Sequence, residues 1–229
     1  MARLGVITGL VSELDCLAVF AAAGPPRARC VGIGTVAARE ASRALIAEGC
    51  TALLSFGMAG GLDPALKAGT VVIADRIVTA DGRSFATQEP WRKSLVEVLA
   101  GVGDAVRVAP IAGSEKVVTS VAAKQNLRQH TGAAVVDMES VGVAEVAAEA
   151  GLPFMALRAV ADTAWCSVPA WVLGGAGADG TLRPWVVVAG LLVRPWALPV
   201  VAGLARDSRR ARAGLRCVAA LSGPGFGFR

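Results

Sequence analysis

The chain has one histidine, His130, in 229 residues, and its five cysteines, Cys16, Cys30, Cys50, Cys166 and Cys217, are odd in number, scattered and never spaced C-x-x-C. Ser-His catalysis and histidine-metal chemistry lack their parts, and neither a disulfide framework nor a zinc site is expected. Charge is also scarce: 18% of residues are charged against 54% hydrophobic, so disorder is excluded as the main state and most segments must be buried. The formal charge of +5 leans on Arg206, Arg209, Arg210, Arg212 and Arg216. No aromatic residues interleave with that run, so a solvated helix face is preferred over a nucleic-acid partner. An apolar signal core is missing after Met1, which makes the cytoplasm the expected compartment. The apolar stretch 184–204 is broken by Arg194, Pro195 and Pro199. A spanning helix needs about 20 uninterrupted apolar residues, so this stretch is expected as buried or membrane-surface helices.

What is present is an alternation of short β-branched runs with alanine-rich segments of helical length. It predicts an α/β fold of three αβα layers around a central mixed, largely parallel sheet. Strands are expected over 4–8, 29–33, 52–56, 71–78, 133–136 and 154–160, and helices over 11–23, 36–48, 91–100, 120–130 and 141–150. Gly49 and Gly151 follow two of these helices as stop signals. Loops over 80–90 and 174–183 are polar or rich in Gly and Pro, suited to covering a site. A single domain over 1–229 is expected, with an apolar, Arg-rich helical extension from about residue 183.

Buried parallel strands deliver functional groups at their C-terminal ends. The first ends in Thr8-Gly9-Leu10-Val11-Ser12-Glu13, a turn and carboxylate suited to an anion or a water, and equally to a helix dipole. The second ends in Gly32-Ile33-Gly34-Thr35 and the third in Gly57-Met58-Ala59-Gly60-Gly61, where free amides can meet a ligand; tight turns explain such glycines as well. Neither is a Walker or dinucleotide-binding loop. Asp137 and Glu139 precede a helix, where they can bind vicinal sugar hydroxyls or simply cap it. Arg158 and Asp162 lie on one strand face by the period of two. At a strand end with apolar walls Asp162 can act as an acid; the alternatives are a helix cap or an arginine's partner. His130 closes a helix at the surface.

Taken in order, five segments resemble the nucleoside phosphorylase and nucleosidase superfamily, particularly the methylthioadenosine/S-adenosylhomocysteine nucleosidases, over roughly residues 3 to 164. They are Gly5 to Glu13, Val31 to Ala37, Gly57 to Asp63, Val136 to Ser140 and Arg158 to Asp162. Val136-Asp137-Met138-Glu139-Ser140 and the apolar, Arg-rich extension are most similar to the hopanoid-biosynthesis-associated phosphorylase branch. The resemblance implies cleavage of a purine nucleoside, with Asp162 contacting N7 and protonating the leaving base and Val117 at the base. Glu139 with Met138 would bind the ribose, and Glu13 matches the carboxylate that activates water in the hydrolases. Gly9, Ile33, Met58, Ala59 and Gly60 would line the sugar and nucleophile pocket, with Thr8, Ser55 and the amides around Gly57 cradling inorganic phosphate as co-substrate. No metal or other cofactor is implied. Lys116 stands where the nucleosidases carry a stacking aromatic, and Met58 replaces a pocket serine. The branch implies phosphorolysis of adenosylhopane by a cytoplasmic homodimer with peripheral membrane contact. The alternatives are a hydrolytic methylthioadenosine/S-adenosylhomocysteine nucleosidase and a nucleoside-binding protein without catalysis.

Overall fold

Side chains alternate across a strand, and here both faces of the strands are apolar, so the sheet must be covered on both sides. The computed structural model describes residues 3–175, 177 and 179–228; Met1, Ala2 and Arg229, with Ala176 and Ala178 of the expected loop over 174–183, lie outside the described residues. Strand β1 (Leu4–Thr8) runs parallel to β2 (Arg27–Cys30) and to β3 (Ala52–Gly61). On its other edge β3 pairs in parallel with β8 (Phe154–Asp162), while its last residues cross to antiparallel β7 (Val135–Asp137). Strand β4 (Val71–Thr79) pairs with β8, with β5 (Ser84–Ala86) and with β6 (Val106–Gly113), which in turn pairs with β7. The ring β3, β8, β4, β6, β7 is therefore closed, and β1 and β2 extend one side of it.

Val6, Leu54, Phe56, Ile73 and Leu157 point to one face, where they meet Trp91 and Leu95 of α3 (Glu89–Val98) and Ala211, Leu215 and Val218 of α8 (Leu198–Ser222). Ile7, Leu53, Val72 and Ala156 point to the other, against Ala38 and Leu45 of α2 (Thr35–Ala47) and Val143, Ala144 and Ala147 of α5 (Ser140–Glu149). These faces make the three layers that the sequence alternation predicts. Helix α4 (Val121–Thr131), capped by Ser120, α1 (Val11–Leu14) and the short α6 (Ala170–Leu173) complete the part of the fold that bears the strand ends.

Several boundaries differ from the sequence expectation. The glycine run 57–61 is strand, because closing the ring carries β3 onward from β1 to β7. Strand β6 interrupts a segment expected to hold none; its Pro110 lies where the β4 register shifts, a position that tolerates a missing N–H. Strand β5 likewise lies inside the expected loop over 80–90. Strand β2 sits two or three residues earlier than 29–33, and the helix expected over 11–23 is one turn of α1 followed by a 3₁₀ stretch, Asp15–Phe20.

The extension divides in two. The second half of α8 buries Ala211, Leu215, Val218 and Ala219, whereas α7 (Pro184–Leu192) has no buried residue and presents Trp185, Val188 and Leu192 to solvent. Among the described residues no helix is long and apolar enough to cross a membrane. Leu215→Ala should therefore cost about 2–5 kcal/mol, and Leu192→Ala should stay within about 0.5 kcal/mol of the parent, both read by urea unfolding.

Candidate active site

The C-terminal ends of β1, β3, β7 and β8 meet at a cavity of about 300 Å³ lined by Glu13, Glu139 and Asp162. Glu13 is carried back toward the end of β1 by the single turn of α1. Its Oε2 accepts from the Gly9 and Leu10 amides, each at 2.9 Å, and its Oε1 accepts from the Met58 amide at 2.7 Å. Burial pushes its pKa up, while Arg158 and these amides oppose the rise. An ionised carboxylate offers about four lone-pair positions, so three amides leave one for a molecule in the cavity.

Beneath it lies Arg158, a guanidinium with no exposed surface. It is paired with Asp137 and, at 3.5 Å, with Glu139, and its Nη2 donates to Ser55 Oγ at 2.6 Å. Burial by itself would lower the pKa of Arg158, yet the carboxylates of Asp137, Glu139 and Glu13 raise it. Gly57 makes room for this group, since a Cβ there would collide with Arg158 and come within 2.7 Å of the Glu13 carboxyl carbon. Glu139 Oε1 accepts from the Gly34 amide at 3.2 Å, which the positive φ of 126° at Gly34 turns toward it. Burial, opposed by Arg158, raises the Glu139 pKa to about 7.

At the far wall Asp162 is bound by Lys124 of α4, whose ammonium also donates to the carbonyls of Thr163 and Cys166 at 2.8 and 2.9 Å. Burial pushes the Asp162 pKa up and Lys124 opposes it.

Gly9, Ile33, Met58, Ala59, Gly60, Val117, Met138, Glu139, Glu13 and Asp162 all line the one cavity, as does Lys116. Thr8, Ser55 and Gly57 do not. Thr8 is fully buried with no partner for its hydroxyl, the Ser55 hydroxyl is held by Arg158 and Ser140, and Gly57 packs under Glu13. Asp137, read as one of two sugar-binding acids, is engaged by Arg158 and accepts from the Ser140 amide at 3.0 Å, so its contacts are those of a capping and charge-neutralising residue. Arg158 and Asp162 do not pair: a register shift opposite Ala59 and Gly60 separates them, and a lysine takes Asp162. His130 is exposed near the end of α4.

Lys124 is the site residue that sequence reasoning missed. It sits with Val121 and Leu127 on the inward stripe of α4, where an apolar residue is expected, and that misplacement is its only sequence signal. Val168, Val172, Leu173 and Leu204 also reach the cavity, from segments far along the chain.

A closed mixed sheet with helices on both faces and carboxylates at its strand ends is the phosphorylase/nucleosidase type of α/β protein. The sequence matches the family model described as "Phosphorylase superfamily" over residues 17–172, more than half of the chain, and the chain belongs to that family. A futalosine hydrolase of Streptomyces coelicolor is 32% identical over 125 residues, 48% of this chain and 53% of that protein; the chain spans about half the length of this curated relative. Among solved structures, the futalosine hydrolase of Helicobacter pylori superposes with a TM-score of 0.70 at 18% identity, covering 95% of this chain and 97% of that one. The 5′-methylthioadenosine/S-adenosylhomocysteine nucleosidase of Neisseria meningitidis, in complex with methylthio-immucillin-A, gives 0.74 at 19% identity, covering 96% and 98%. At such identities these two likenesses show the shared fold alone.

Removing the central cation would leave Asp137, Glu139 and Glu13 buried without a counter-charge. Arg158→Leu should destabilise the protein by about 3–5 kcal/mol at neutral pH. With the arginine gone, the folded-state pKa values of Glu13 and Glu139, already raised by burial, rise further above their unfolded values. Stability then falls as pH rises through that window, so the deficit should shrink toward acid. Denaturant titrations of both proteins across pH check this.

Proposed function

We propose that this chain hydrolyses the N-glycosidic bond of a purine nucleoside. The observation that carries the reading is the convergence of Glu13, Glu139 and Asp162 on one cavity, each held by a different cation or set of amides. Departure of the base places positive charge on the sugar ring and negative charge on the purine. Asp162 protonates N7 as the C1′–N9 electron pair leaves with the base. Glu139 accepts hydrogen bonds from the ribose hydroxyls and faces the developing cation. Glu13 aligns a water with its remaining lone pair and takes its proton as oxygen bonds to C1′.

Inorganic phosphate, the co-substrate expected from sequence resemblance, is disfavoured by the contacts around Glu13. The Met58 amide already donates to Glu13, the Ser55 and Thr8 hydroxyls are buried, and a dianion beside the Glu13 carboxylate would be repelled. Water suffers none of these conflicts.

For the 5′ substituent we retain adenosylhopane. The apolar side chains of Val168, Val172, Leu173 and Leu204 on the same cavity support a bulky hydrocarbon there. Peripheral membrane contact at the cytoplasmic face belongs to the same reading. Trp185, Leu192, Val193 and Trp196 are all exposed, and residues 180–206 carry three arginines and no acidic residue.

Adenine release is to be measured from adenosylhopane and from methylthioadenosine, each with and without phosphate. Release from adenosylhopane without phosphate is expected. A phosphate requirement would overturn hydrolysis, turnover of methylthioadenosine alone would overturn the lipid substituent, and silence on both would favour a binding protein. Asp162→Asn should lower kcat by about 10²- to 10⁴-fold with its unfolding transition intact. In a flotation assay the protein should bind phosphatidylglycerol vesicles at low salt, and Trp185→Ala/Trp196→Ala should not. Failure of the parent to float, with self-association through this face, would assign it to a second copy instead.

A further inference from the structure

We propose that Lys124 is a positioning residue that aims Asp162 and sets its acidity during proton transfer to the purine. The proposal rests on the reading of Asp162 as the acid. Lys124 is the only buried residue of α4, and its side chain has no exposed surface. Burying an ammonium costs several kcal/mol unless its hydrogens are met. Here three N–H donors face three acceptors: Asp162 Oδ2, the Thr163 carbonyl at 2.8 Å and the Cys166 carbonyl at 2.9 Å. This is a complete set for the charged form, and a neutral amine would leave an acceptor unmet.

The consequence for Asp162 is asymmetric. Oδ2 is tied to the ammonium, so Oδ1 is the oxygen left to hold the proton and meet N7. When that proton passes to N7, the carboxylate left behind is already paired. Lys124 thus stabilises the conjugate base and makes the proton easier to give. Burial and the neighbouring Asp207 act in the opposite sense and push the Asp162 pKa up. The charged and titratable groups facing this oxygen pair are Lys124 from α4, Asp207 from α8 and Cys166 from the segment after β8. Lys116 lines the same cavity.

The test is the pH profile of kcat/KM for the parent, Lys124→Met and Lys124→Gln on a purine nucleoside. Loss of an adjacent opposite charge raises a carboxyl pKa by about one to three units. The limb on which the acid must be protonated should therefore move that far to higher pH, with a lower kcat. Adding Lys124→Met to Asp162→Asn should cause no further loss. A uniform fall in rate with the limb in place, or an additive loss in the double variant, would overturn the proposal in favour of a packing role. Should neither variant fold, difference infrared spectroscopy of the parent against Asp162→Asn gives the Asp162 carbonyl band directly. A protonated carboxyl whose carbonyl band is shifted by a hydrogen bond from the ammonium is expected, and the band of a carboxyl free of hydrogen bonds refutes the lysine's role. A parent inert on every purine nucleoside would sink the catalytic reading itself, whereas an active parent with an unmoved limb sinks only Lys124.

Discussion

The guanidinium of Arg158 holds three chain segments to one point. Asp137 reaches it from the end of β7 and Glu139 from the entrance to α5, Glu13 of α1 lies close enough to feel its charge, and the arginine itself rises from β8. In a region without exposed surface, none of these charges is tolerable alone, and the set is tolerable only in this arrangement. That constraint accounts for features that look unrelated along the chain. Gly57 must lack a side chain so that Glu13 and Arg158 fit, and Ser55 and Ser140 must offer hydroxyls to the guanidinium. The strand ends are thereby pinned to one another, and the cavity between them inherits their geometry.

A second cation, Lys124, governs the opposite wall. The two charge clusters divide the carboxylates into different environments: Glu139 near a shared arginine with its pKa at about 7, and Asp162 against a lysine that opposes the effect of burial. Burial raises both carboxyls, and each is opposed by its own cation, so the two ends of the cavity carry separately neutralised acids. Cleavage of a glycosidic bond uses one such group on the base and another on the sugar, and the proposed reaction places Asp162 and Glu139 in those roles.

The apolar extension has a different physical character. Its last turns belong to the core through Leu215 and Val218, but α7 is apolar and unburied, with Trp185 and Leu192 facing outward. An apolar helix that buries none of its residues is uncommon among packed domains.

Much of the layer pattern was legible in the residues themselves. The apolar, β-branched runs at 4–8, 71–78 and 154–160 match β1, β4 and β8 closely, and the spacing in 36–48, 120–130 and 141–150 matches α2, α4 and α5 to within a residue or so. Local periodicity records which faces are buried, and burial is what makes these elements form. The order of Glu13, Glu139 and Asp162 along strand ends was readable for the same reason. Three things were not: the closure of the ring through β6 and β7, the burial of Thr8, Ser55 and Gly57 beneath the cavity, and the pairing of Asp162 with Lys124. Each depends on residues tens of positions apart meeting in space, and Lys124 and Asp162 are 38 apart. A sequence records each side chain's chemistry; only the folded sheet decides which charges share a low-dielectric interior and must therefore neutralise one another.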